Sequence, residues 1–146
     1  MAFRFGLDEV LRFRQAVERA EEAALHRIVQ DIAESDLNLR QVETRQSRLR
    51  ERREQDLIRK LPAVHLLEIT ERETELQKAA DGLRSRLRQL ETQRLQQLAI
   101  YQTAHQEREI LSELREQQRL AYQLDQRRQE QKALDDLFLA RRRESD

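Results

Sequence analysis

The sequence predicts an all-α fold: an elongated antiparallel two-helix coiled-coil hairpin with a projecting C-terminal helical end. Three observations carry this reading. Apolar residues recur at steps of three and four in both halves of the chain, a single proline separates the halves, and Gly and Pro together number three. Ala, Glu, Lys, Leu and Arg supply 84 of 146 residues, the composition of long helices and coiled coils. Disorder is the competing reading, but 23 regularly spaced leucines give the chain apolar surface that must be covered.

The first helix is expected over about residues 7–59. Its seam runs through Leu25, Ile28, Ile32, Ser35, Leu39, Val42, Gln46 and Leu49, the alternating spacing that keeps one stripe facing a partner helix. Leu7, Leu11, Val17 and Ala24 extend the stripe upstream, and Asp8 and Glu9 place carboxylates at the positive end of the helix. Pro62 falls where the seam fades, so a turn is expected over about 60–65, because proline removes a backbone donor and clashes within a helix. The second helix, about 66–140, carries Leu76, Ala80, Leu83, Leu87, Leu90, Arg94, Gln97, Tyr101, Ala104, Arg108 and Leu111, with a basic tail at 141–146. The whole chain, 1–146, reads as a single helical hairpin.

A turn at Pro62 makes the pairing testable. In an antiparallel hairpin pivoting there, facing positions sum to about 125. Leu49 then faces Leu76, Val42 faces Leu83, and, within one residue, Leu39 meets Leu87 and Leu25 meets Tyr101. Two apolar seams from separate halves coincide without adjustment. The seam rather than the surface charges decides the fold, since each well-buried Leu or Ile contributes about 1.5–3 kcal/mol. The i,i+4 pairs Asp36–Arg40, Asp56–Lys60 and Glu68–Arg72 add only about 0.2–0.5 kcal/mol each. Gly82 inside the second helix costs about 1 kcal/mol relative to alanine, and is either tolerated or admits another backbone.

The same register leaves roughly residues 120–146 beyond the reach of the first helix. Leu134, Leu137, Phe138 and Leu139 lie there, and they suggest a docking surface unless Phe3 and Phe5 pack back onto this end.

Charge cancels, with 28 basic against 28 acidic residues, and the arginines are interleaved with glutamates. A chain-wide nucleic-acid or anionic-membrane surface is therefore disfavoured. Residues 40–60 are locally basic and read either as a solvated face or as a positive stripe. Cysteine is absent, which excludes disulfides and thiolate metal sites. No stretch approaches 18 apolar residues and no leader-like apolar region follows the N-terminus, so neither a span nor a signal peptide is expected.

Chemistry is also sparse. His26, His65 and His105 lie about forty residues apart; His26 and His105 fall near one another in the predicted register, but metal-site spacing is missing. No phosphate loop or nucleophile elbow occurs, and two helices enclose no deep cavity. No catalytic residue, metal ligand or cofactor is assigned, and the chain is not expected to be an enzyme.

Both ends carry a family likeness. Phe3-Arg4-Phe5-Gly6-Leu7-Asp8-Glu9-Val10-Leu11-Arg12-Phe13-Arg14 resembles the opening of the flagellar export protein FliJ family, an aromatic and basic start leading into a leucine-rich helix. Glu130-Gln131-Lys132-Ala133-Leu134-Asp135-Asp136, followed by Arg141-Arg142-Arg143, resembles the closing signature and basic tail of that family, with Asp136 where glutamate is usual.

The resemblance spans nearly the whole chain. It implies a cytoplasmic component of the flagellar type III export apparatus, peripheral to the inner-membrane export gate at the flagellar base and shaped like a rotary-ATPase stalk. The implied partners are the hexameric export ATPase, the cytoplasmic domain of the export gate and export chaperones, with no nucleic acid and no direct membrane insertion. Phe3, Phe5, Leu7, Leu11, Glu130, Gln131, Lys132, Leu134, Asp135, Asp136 and Phe138 are then expected to face the ATPase ring. At the hairpin tip Leu57, Ile58, Leu61, Val64, Leu66, Leu67 and Ile69 exceed what a turn needs to bury and are expected to face the gate, local packing around Pro62 being the alternative. Other functions compatible with the pattern are a virulence-type secretion stalk, a general adaptor coiled coil, and nucleic-acid binding through residues 40–60.

Overall fold

The computed structural model describes residues 2–145. They form two helices, α1 (Asp8–Ile58) and α2 (Ala63–Ser145), and among the described residues there is no strand. Helix–helix contacts make the fold an all-α antiparallel hairpin.

The turn between the helices is built by the backbone. The Leu61 N–H donates to the Asp56 carbonyl and the Lys60 N–H to the Leu57 carbonyl, each at 3.3 Å. This reciprocal pair ends a helix when the residue between adopts a left-handed conformation. Lys60 does so, with φ at 51°. Pro62 then blocks any continuation. Its carbonyl accepts the His65 N–H at 3.0 Å, so the proline starts α2 as well as stopping α1. For this reason α2 begins at Ala63, ahead of the position near 66 that the periodicity suggests. At its other end α2 runs past 140, and Arg141–Arg143 are helical instead of forming a tail beyond the helix. Arg142 and Arg143 in the last turn suit the negative end of the helix dipole. Asp146, the last residue of the expected tail, lies outside the described residues.

The chain divides into two compact units, Glu21–Tyr101 and Met1–Ala20 with Gln102–Asp146. In the first unit every predicted seam position from Leu25 to Leu49 and from Leu76 to Tyr101 is buried or half-buried. Leu49, Ile69, Ala80 and Leu90 form its dry centre, with Leu90 only 1% exposed. Each large member contributes about 1.5–3 kcal/mol. Gln46 is a buried polar member of the same seam and donates to the Gln77 side-chain carbonyl at 3.2 Å. Arg53 pairs with Glu73 at 3.0 Å, Arg84 with Glu43 at 3.5 Å, and Gln97 reaches the Glu21 carbonyl at 3.1 Å. The pairs Gln46–Gln77, Arg53–Glu73 and Arg84–Glu43 fall close to the antiparallel register that the leucine seams define.

In the second unit Phe5, Leu11 and Ala104 are buried. The residues before α1 turn back onto α2: the Phe3 and Tyr122 rings lie 5.7 Å apart, and the Arg115 guanidinium sits 6.0 Å from the Phe3 ring. The Phe5 carbonyl accepts the Asp8 N–H at 3.2 Å, which fixes how the segment enters α1. From Arg127 to Ser145 every residue of α2 is exposed.

Of the three predicted surface pairs, Arg40–Asp36 forms at 3.1 Å. Asp56–Lys60 does not, because Lys60 leaves helical geometry and the i,i+4 relation no longer brings the side chains together. Glu68–Arg72 forms no ion pair among the described residues either. A Cβ added at Gly82 would meet nothing within 4 Å, so no backbone of this chain approaches there and the glycine is tolerated.

Candidate partner-binding surfaces

Three surfaces stand apart from the packed seams. The first is the end of α2. Leu134, Leu137, Phe138 and Leu139 are all more than half exposed, and Glu130, Gln131, Lys132, Asp135 and Asp136 surround them. Gln131 donates to Asp135 at 3.1 Å, one turn on. Apolar side chains on two helical faces, with no covering segment in the unit, form a surface suited to another protein. Leu137 and Leu139 belong to this surface although the family signature does not include them; Leu137 lies one turn from Leu134, and Leu139 stands on the second face.

The N-terminal half of the expected ring-facing group divides. Phe5 and Leu11 are buried within the unit and Phe3 is covered by Tyr122, while Leu7 remains 42% exposed. The aromatic start of the chain therefore packs against α2 and is not presented with Glu130–Phe138. Tyr122, its partner, carried no sequence signal, because nothing in a helical repeat says which residue will receive an aromatic from a non-helical segment.

The second surface is the hairpin tip, within the unit Glu21–Tyr101. Leu57, Ile58, Leu61, Val64 and Leu67 are exposed, Ile58 at 82%. Ile69 is buried and Leu66 half-buried, so these two hold the tip together. Local packing around Pro62 accounts for two of the seven residues and leaves five facing outward.

The third is a polar cluster in the unit of Met1–Ala20 and Gln102–Asp146. Glu18 accepts from the Arg108 guanidinium and lies 3.0 Å from His105 Nδ1. Glu109 stands 3.6 Å from His105 Nε2, and Arg14 pairs with Glu107 beside them. The Arg108 hydrogen bonds hold the Glu18 carboxyl below the usual carboxylate range, against partial burial, with His105 adding to the effect. His26 is exposed beside Glu22 at 3.9 Å. His26 and His105 thus have separate carboxylate neighbours, and among the described residues no group of three or more potential ligands is arranged to hold a metal. No described helix is long and apolar enough to cross a membrane.

Fold and surfaces together define a helical-hairpin coiled-coil protein that shows apolar side chains at its turn and at the end of its longer helix. The family model for the flagellar FliJ protein matches residues 3–145, and the chain belongs to that family. Membership makes it a component of flagellar type III protein export. No curated protein and no solved structure matches the chain.

Proposed function

We propose that this protein works in the cytoplasm, joining the flagellar export ATPase ring to the cytoplasmic domain of the export gate and assisting export chaperones. The observation that carries the proposal is the end of α2, where Leu134, Leu137, Phe138 and Leu139 stand uncovered among Glu130, Gln131, Lys132, Asp135 and Asp136. In this reading that end, with exposed Leu7, meets the ATPase ring. A ring whose axial opening is lined by apolar and basic groups would cover the leucines and pair the carboxylates in one step. Phe3, Phe5 and Leu11 then act indirectly, by holding the start of α1 against α2. The exposed tip residues Leu57, Ile58, Leu61, Val64 and Leu67 meet the gate, with Leu66 and Ile69 as their support.

The test is the rate of ATP hydrolysis by a flagellar export ATPase with and without this protein. The intact chain should raise the rate or promote ring assembly, and a form ending at Arg128 should do neither. Full activity in the shortened form would remove the end of α2 from the ring contact. For the tip, Ile58→Asp with Val64→Asp should abolish capture of the gate domain and leave ATPase stimulation unchanged.

A further inference from the structure

The basic stretch in residues 40–60 is used by neither of those surfaces. Arg45, Arg48 and Arg52 recur at steps of three and four, which places them on one face of α1. Arg72 reaches the same groove from α2. Buried Leu49 and half-buried Leu76 form its apolar floor, in a volume of about 420 Å³. Glu75 is the one carboxylate among the lining residues.

Carboxylates are plentiful on these helices, and nearby arginines use them. Arg40 is paired with Asp36, Arg84 with Asp81 and Glu43, and Arg94 with Glu91. Among the described residues none of the four groove arginines has an ion pair. Other arginines are unpaired too, but these four converge from two helices over one apolar floor. Like charges at helical spacing repel, so the empty groove is less stable than one whose guanidiniums meet anions. Arginine in place of lysine adds a planar fork that grips a carboxylate through two hydrogen bonds.

We infer that this groove docks an acidic amphipathic helix of a partner protein, its carboxylates on Arg45, Arg48, Arg52 and Arg72 and one of its apolar side chains over Leu49 and Leu76. A furrow between two antiparallel helices is the natural seat of a third helix. An anionic lipid layer fits less well, because a flat surface does not reach the leucine floor and Glu75 repels it. The inference is independent of the ATPase and gate surfaces, with which it shares no residue.

The test uses the intact purified protein and a fluorescein-labelled helical peptide of glutamates with leucines at heptad spacing. A matching peptide with glutamine for every glutamate, and phosphatidylglycerol vesicles, serve as the other probes. Anisotropy should show saturable binding of the glutamate peptide, weakening with salt, and no binding of the glutamine peptide. The triple variant Arg45→Gln, Arg48→Gln, Arg52→Gln should weaken binding at least about tenfold, as loss of several charge-assisted contacts requires. A control that removes the same charge outside the groove, Arg50→Gln, Arg59→Gln, Arg86→Gln, should bind as the parent does. Circular dichroism should show both variants folded; the single variants Arg48→Gln and Arg72→Gln serve if the triple is not. Equal weakening in groove and control variants would overturn the inference, as would failure of the glutamate peptide to bind. Sedimentation of the chain with the vesicles while the peptide stays free would overturn it in favour of a lipid surface.

Discussion

Lys60 and Glu18 show how much a single side chain settles in this molecule. Lys60 holds a left-handed conformation with a Cβ that disfavours it, because the two hydrogen bonds across the turn fix the backbone there. Lys60→Gly removes that strain, and thermal unfolding should show a gain of about 1 kcal/mol, minus the extra freedom glycine gives the unfolded chain. Glu18 acts through its charge. Its carboxyl lies below the ordinary range, chiefly through Arg108, so its stabilising contribution is complete above the unfolded carboxylate value and is lost as pH falls through the lower native one. At neutral pH Glu18→Gln should therefore melt below the parent, and the gap should close as the buffer is taken from about pH 5 to about pH 3. A gap that stays constant over that range would mean that packing, not charge, is what the substitution removes. Neither role was visible in the sequence. Glu18 looks like any helix-surface glutamate until α2 brings Arg108 and His105 to it, and lysine is not the residue that announces a left-handed turn.

Along each helix the seam was legible because its period is set by helix geometry alone. Ser35 and Gln46 kept their places beside the leucines, and Arg94, Gln97 and Arg108 kept theirs on α2, although none is apolar. Their membership followed from spacing, and composition alone would have excluded them. Leu90 and Gln46 should respond oppositely to change. Leu90→Ala should cost about 2–5 kcal/mol in denaturant unfolding, since a nearly dry site closes poorly over a missing side chain. Gln46→Leu should raise the melting temperature, because a buried amide gives way to a hydrocarbon while Gln77 can turn to water. The cost is specificity: a polar pair within a seam penalises slipped registers that leucine tolerates. Spin labels at exposed Gln41 and Arg86 should give a broader distance distribution in Gln46→Leu than in the parent. Element ends were less legible than the seams, because caps are made by backbone groups that follow no period. Pro62 marked the turn, but not that its carbonyl would open α2 at Ala63.

At the scale of the whole chain, antiparallel pairing and the family could both be read from the sequence, one from two coincident stripes and the other from the terminal motifs. What could not be read was the fate of the first residues. Phe3 and Phe5 belong to the motif that marks the family, yet the fold sets Phe3 against Tyr122 of α2 and buries Phe5 within the same unit. The groove was half visible as a basic stretch on α1, whereas Arg72 is too far along the chain for any local pattern to include it. Removing residues after Arg128 takes away only exposed side chains. The shortened chain should keep its melting temperature within about 2 °C and lose helical signal only in proportion to the residues removed, because none of the packed seam is touched. Beyond Gln126 the helical backbone stands on local propensity alone, and a solitary segment of that length is marginal in water. A partner that took hold of Leu134 and Phe138 would therefore have to meet the entropy of holding the coil straight. Preorganisation becomes a dial: an outward Gln129→Ala, touching no partner, should tighten association, and Gln129→Gly should slacken it.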